Sequence, residues 1–173
     1  MAARSRYLWG PLTGFGLAAA AVACVLDQAL KLWLLFAFRL ADRGTVTVAP
    51  LVDLVLTWNT GISYGWFQQE GPLGQWALLV LKAVAVALLW IWLARASSRL
   101  SALALGLIIG GAIGNAIDRL AYGAVADFVL LHLETANGRF NWYVFNLADV
   151  AIVAGVAILL YESLWGDRAP KAP

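Results

Sequence analysis

Three aspartates sit close together near the end of a chain that is otherwise strongly apolar. Two lie in Asn115-Ala116-Ile117-Asp118-Arg119 and Val125-Ala126-Asp127-Phe128, and the third closes Phe145-Asn146-Leu147-Ala148-Asp149. Neighbouring carboxylates do not both ionise readily. One keeps a proton while the other acts as a base, so a pair can activate a water and protonate a leaving amine. Asp127 and Asp149 are the candidates for that pair. The plainer reading of any single one is a helix cap or an ion pair with Arg119 or Arg139. It is weakest for Asp149, which has nothing basic within a helical turn in sequence.

Other polar residues fall around these. Asp118 and Arg119 are adjacent and read as part of an ion-pair network, since buried charges need pairing. Their expected role is structural or substrate-orienting. Asn115 and Asn146 each stand three residues before an aspartate, a spacing that shares one helix face, and an amide can orient a carboxylate or hold a substrate backbone. Asp27 and Lys31 are spaced for an intrahelical salt bridge, with Lys31 expected to snorkel outward. Lys82 has no acid nearby in sequence and is expected to snorkel or to pair across helices. Gly61-Ile62-Ser63-Tyr64-Gly65 matches the Gly-x-Ser-x-Gly pattern, but that pattern needs an α/β sheet and a His base. The only His is His132. A Ser63–Lys31 dyad fares little better, because Lys31 already neighbours Asp27.

The elements that position these residues follow from composition. The 173 residues are 62% hydrophobic and 13% charged, with mean hydropathy +0.79. Soluble domains carry roughly 25% charged residues, so the chain reads as a polytopic membrane protein. Nine Trp and five Tyr suit interfacial belts. A net charge of +2 argues against a nucleic-acid partner. One His and one Cys (Cys24) argue against a metal site or an internal disulfide. No cofactor is expected.

A spanning helix needs about 20 apolar residues. Four such runs predict a single integral-membrane domain over 1–173 with spans at about 12–38, 75–94, 100–117 and 143–165. The third is rich in small residues, which let helix backbones approach closely. The N-terminal run through Ala21-Val22-Ala23-Cys24 resembles a lipoprotein signal peptide, but it is too long for a cleaved segment and reads as a retained helix. The stretch 45–67 is not helical in pattern. Thr45–Val48 and Leu54–Trp58 suit short strands, with Asn59-Thr60-Gly61 as a turn, and predict a small β platform on the outer membrane surface. The tail 167–173 reads as flexible.

Arg4, Arg6, Arg95, Arg99, Arg168 and Lys171 would share one side, which predicts cytoplasmic termini. Asp118, Asp127, Asp149, Asn59 and Asp27 then converge at the outer face. That convergence disfavours a transporter with a proton relay, which needs acids spread through the membrane depth. A non-enzymatic assembly factor would leave the Asn/Asp clustering incidental.

The chain resembles the bacterial lipoprotein signal peptidases (signal peptidase II). The resemblance rests on Leu26-Asp27-Gln28-Ala29-Leu30-Lys31, on Trp58-Asn59-Thr60-Gly61-Ile62-Ser63-Tyr64-Gly65, and on Gly110-Gly111-Ala112-Ile113-Gly114-Asn115-Ala116-Ile117-Asp118-Arg119, followed by the Asp127 and Asp149 segments. The five pieces occur in the family's order. The resemblance implies four transmembrane helices and an aspartic endopeptidase of the bacterial inner membrane. It implies cleavage of prolipoproteins just before a diacylglyceryl-modified cysteine, contact with membrane lipid, and inhibition by cyclic peptides. It assigns catalysis to Asp127 and Asp149. It gives Asn59, Gly61, Asn115, Arg119 and Asn146 to the pocket, and Asp118, Asp27 and Lys31 to its support. Departures are Ser63-Tyr64, Val150 after Asp149, and a longer stretch between Asp127 and Asn146.

Overall fold

The computed structural model describes residues 8–61, 72–136 and 138–165, with the backbone alone for 72–78. The expectations for residues 62–67, Ser63 and Tyr64 among them, and for the tail 167–173 lie outside the described residues. Helix α1 (Thr13–Leu32) runs on into a π-helical turn, Trp33–Ala37. A short α2 (Leu40–Arg43) leads to β1 (Val46–Ala49) and β2 (Val52–Asn59). Then come α3 (Pro72–Leu93), α4 (Arg99–Tyr122), β3 (Val125–Thr135), β4 (Gly138–Phe145) and α5 (Leu147–Trp165).

Helix α4 is the centre of the fold, and glycine makes that possible. A Cβ on Gly106 would lie 2.2 Å from the Gly16 carbonyl oxygen, and one on Gly110 would lie 2.3 Å from that of Ala20. On the other side, a Cβ on Gly111 would lie 2.5 Å from the Ala148 carbonyl oxygen. Helices α1 and α5 therefore pack on α4 backbone to backbone, as small residues permit. At the end of the bundle away from the sheet, Ser98 caps α4 by accepting from the Ser101 amide at 2.9 Å. The Glu162 carboxylate of α5 accepts from the hydroxyls of both serines.

Among the described residues, three helical stretches are long and apolar enough to cross a membrane: Thr13–Ala37, Arg99–Tyr122 and Leu147–Trp165. In α3 the described apolar stretch, Leu79–Leu93, is shorter. The bundle turns apolar side chains outward, among them Val25, Leu81, Leu88, Val153 and Leu164. Such an exterior suits lipid rather than water.

The strands form one antiparallel sheet in the order β1-β2-β3-β4. The first two fall where β-branched and aromatic residues predict them. The β3–β4 hairpin was not anticipated, and it corrects two boundaries. Helix α5 starts at Leu147 rather than 143, because 138–145 pair as a strand. Helix α4 runs past 117 to Tyr122, where Gly123 takes φ 75° and donates to the Arg119 carbonyl at 3.0 Å. This left-handed cap, suited to glycine, turns the chain straight into β3. The sheet is held to the π-helical turn and α2 by a buried cluster of Leu34, Leu40 and Phe128.

Candidate active site

Two helix ends and two strands meet at one polar cluster. Asp127 comes from β3 and is only 2% exposed. Asn59, at the end of β2, donates from Nδ2 to Asp127 Oδ2 at 3.0 Å. Asn146 donates from Nδ2 to Asp127 Oδ1 at 2.5 Å and to Asn115 Oδ1 at 3.1 Å. Asn115, on α4, donates from its own Nδ2 to Asp149 Oδ1 at 2.9 Å. A continuous relay of two amides thus joins the two carboxylates, Asp127–Asn146–Asn115–Asp149.

Asn146 and Asp149 do not share a helix face as their spacing predicts. Asn146 precedes α5, and the pair instead form a reciprocal cap. The Asp149 amide donates to Asn146 Oδ1 at 3.0 Å, and the Asn146 amide donates to Asp149 Oδ2 at 3.2 Å. This is the capping-box arrangement, with Asp in place of Glu or Gln. So Asp149 does cap its helix, but with one oxygen. Its other oxygen faces Asn115.

Beneath the pair lies a buried ionic layer. Lys31 Nζ is 2.8 Å from Asp27 Oδ2, 2.8 Å from Asp118 Oδ2 and 3.1 Å from Asn115 Oδ1. Three acceptors use all three ammonium donors. The intrahelical bridge is present, but Lys31 is 2% exposed and does not snorkel. Asp118 pairs with Lys31 and not with adjacent Arg119, because consecutive helical residues point in different directions. Asp118 Oδ2 also accepts the Ala126 amide at 3.1 Å, next to Asp127. Asp27 Oδ1 accepts the Ala148 amide at 2.9 Å, next to Asp149. The two supporting acids therefore each anchor the backbone beside one candidate catalytic acid.

Arg119 turns the other way. It donates to the Gly61 carbonyl at 2.9 Å and to the Asn115 carbonyl at 3.1 Å. Arg139 does not reach the cluster; it pairs with buried Asp53 across the sheet. Lys82 on α3 lies within electrostatic reach of Arg119, Asp149 and Asp127. Sequence reading passed over Gln28, which donates to Asp118 Oδ1 at 2.8 Å and to the Gly114 carbonyl at 3.1 Å. Its signal was its place one residue after Asp27, on a helix turn with two ionisable groups. Among the described residues, no group of three or more His, Cys, Asp or Glu is gathered to hold a metal ion.

Burial pushes the Asp127 carboxyl up to about 6, and the nearby Asp149 charge adds to this. The hydrogen bonds from Asn59 and Asn146 oppose it without cancelling it. Asp149, in the first turn of α5, accepts from Asn115 Nδ2 and from the Asn146 amide.

The family model for signal peptidase II matches residues 19–165, a region that includes every residue of this cluster. The chain belongs to the signal peptidase II family. It is a peptidase, and the match runs nearly end to end. The lipoprotein signal peptidase of Rhodopseudomonas palustris is 64% identical over 158 residues, covering 91% of this chain and 96% of that protein. The one from Nitrobacter hamburgensis is 63% identical with the same coverage. A bacterial membrane enzyme solved by the in meso method at 2.3 Å superposes with a TM-score of 0.70, over 92% of this chain and 94% of that one. At 21% identity it speaks for the fold alone.

Proposed function

We propose that Asp127 and Asp149 form the catalytic dyad of an aspartic endopeptidase that removes signal peptides from diacylglyceryl-modified prolipoproteins. Cleavage falls just before the lipidated cysteine. The observation that carries the reading is the two-amide relay between the carboxylates, which couples acids from different elements of the fold.

In this mechanism Asp127 carries the shared proton and Asp149 is the ionised base. A water held between them attacks the carbonyl carbon preceding the cysteine and gives a proton to Asp149. Asp127 passes its proton to the amide nitrogen as the C–N bond breaks, and a carboxylic acid and a free amine leave. Asn59, Asn115 and Asn146 hold the acids in register. Arg119, fixed on the Gly61 carbonyl, borders the substrate path, where cyclic-peptide inhibitors of the family would also bind. Asp27, Asp118 and Lys31 keep the backbones beside the dyad in place. The reaction needs no organic cofactor.

The same reading makes the chain one integral domain of the bacterial inner membrane with four spans. Helix α3 supports this, since its 22 residues at about 1.5 Å each reach across a hydrocarbon core of about 30 Å. The termini lie in the cytoplasm, with the basic residues at that end. The sheet and the dyad lie at the outer face, where lipid-anchored substrates present their cleavage site.

The test is Asp127→Asn and Asp149→Asn, assayed separately on purified lipidated prolipoprotein. Each is expected to lose on the order of 10²–10⁴-fold in turnover. Full turnover by either variant would sink the dyad.

A further inference from the structure

Lys82 is the charged residue near the dyad that the proposed mechanism leaves without a task. It stands on α3 in line with Val86, Leu89 and Leu93, at the i, i+4, i+7 and i+11 positions of one helix face. Those three residues pack in one apolar cluster with Ala102, Leu105 and Ile109 of α4. The opposite side of α3 carries Val80, Leu81, Val84 and Leu88, all exposed. Lys82 is therefore turned into the bundle, where an ionisable group is costly and calls for a partner. A short connection joins α3 to α4, so stepping back along α3 from Leu93 to Lys82 is stepping forward along α4 from Ala102 toward Asn115 and Arg119. The charges within electrostatic reach of its ammonium agree: Arg119, Asp149, Lys31 and Asp127, drawn from α4, α5, α1 and β3.

The other cations of this cluster are engaged with the protein itself. Lys31 gives its three donors to Asp27, Asp118 and Asn115. Arg119 turns its guanidinium to the Asn115 and Gly61 carbonyls. Lys82 has no hydrogen bond or ion pair among the described residues, so its three N–H donors are open to a ligand.

The proposed reaction creates an anion at this point. Hydrolysis gives the signal peptide a new terminal carboxylic acid. The proton of that acid returns to Asp127, which gave its own to the amine. Asp149 passes the proton it took from water to the amine as well. A peptide carboxylate is then left beside ionised Asp149, in a site of low dielectric where like charges repel strongly. An ammonium within reach offsets that repulsion. Lys82 stands ten residues into α3, so it reaches the dyad from inside the bundle, the side on which the apolar signal peptide lies.

We infer that Lys82 binds the carboxylate that cleavage creates on the signal peptide. The ligand class is an apolar peptide with a free C-terminal carboxylate, and Lys82 is a product-binding residue. This rests on the peptidase reaction proposed above.

The test measures binding rather than turnover. The signal peptide of the assayed prolipoprotein is synthesised up to the cut bond, once as the free acid and once as the C-terminal amide, each with an N-terminal fluorophore. Both are titrated by fluorescence anisotropy against the full chain in detergent at neutral pH. The acid is expected to bind at least about tenfold more tightly than the amide, the scale of one charge-assisted hydrogen bond. Lys82→Met should bring the two peptides to within about twofold by weakening the acid alone, and Lys82→Arg should restore most of the preference. Equal binding of acid and amide by the native chain overturns the inference without any variant. A preference that survives Lys82→Met also overturns it and gives the carboxylate to another group. Cleavage of lipidated prolipoprotein by the same native preparation keeps the two readings apart. Cleavage without an acid preference sinks the inference alone, and absence of both sinks the proposed reaction with it.

Discussion

Asn146 and Asp149 cap one another, and the same Asn146 side chain reaches Asp127 Oδ1 at 2.5 Å. One residue therefore does two separable things: it starts α5 and it ties the two candidate catalytic acids together. A serine there can still accept the Asp149 amide, but it cannot supply two N–H donors. Asn146→Ala should lose about 1 kcal/mol through the cap. Asn146→Ser should recover that loss, and both variants should remain at least about tenfold slow, on the scale of one lost charge-assisted hydrogen bond. Thermal unfolding in detergent beside a cleavage assay separates the two effects. A serine variant that restores turnover would show that the cap alone matters.

The pH dependence follows from Asp127. Its carboxyl is raised from the usual 3.8 to about 6, chiefly by burial, so the folded chain favours the protonated form. Between those values the folded state binds more protons than the unfolded one, and stability falls as pH rises. The contribution is complete below about pH 4 and lost by about pH 7, and the gap is worth about 3 kcal/mol. Asp127→Asn should remove this slope, leaving only a constant offset from altered hydrogen bonds. Cleavage by the native chain should also decline above about pH 6, as the acid loses its proton. Paired unfolding and rate profiles from pH 4 to pH 8 check both. A rate that climbs through that interval would take the proton donor's role away from Asp127.

The sequence displayed the chemistry more clearly than the geometry. Asp127, Asp149, Asn115 and Asn146 stood out because polar groups in an apolar chain need a reason, Asn59 entered the pocket through the family resemblance, and the fold brings all five into one network. The glycine run of α4 was legible for the same reason, since close helix contact needs small residues. What spacing could not tell was direction. Asp118 and Arg119 read as parts of one ion-pair network, yet Asp118 bonds Lys31 from another helix. Lys31 looked like a snorkelling residue, and only tertiary packing reveals three acceptors around it. The β3–β4 hairpin hid in an apolar stretch, where a buried strand and the start of a span read alike.

Burial should decide the worth of ion pairs that have the same 2.8 Å separation. Lys31–Asp118 is 2% and 1% exposed, and Arg39–Asp42 is 72% and 58% exposed. Lys31→Met leaves two buried carboxylates without their cation and should cost about 3–5 kcal/mol. Asp42→Asn should cost well under about 1 kcal/mol. A double-mutant cycle on Lys31 and Asp118 should show coupling of about 0.5–3 kcal/mol. Coupling near zero would mean that Asp27 and Asn115 hold Lys31 without help from Asp118.

Gly111 tests whether helix packing itself sets the dyad. A Cβ at Gly111 would meet the Ala148 carbonyl oxygen at 2.5 Å, and one at Gly106 would meet that of Gly16 at 2.2 Å. Each alanine variant must push a pair of helix backbones apart, and each should destabilise the fold by about 1–3 kcal/mol. They differ in what moves. Gly106→Ala pushes on α1 far from the cluster, whereas Gly111→Ala pushes on the first turn of α5, one residue before Asp149. Displacement of a reacting group by about 1 Å can slow a reaction by about 10²-fold. At a temperature where both variants are folded, Gly111→Ala should therefore lose far more kcat than Gly106→Ala for a similar drop in Tm. Equal kcat in the two would show that the caps from Asn146 and Asp27, rather than the α4–α5 contact, hold Asp149 in place.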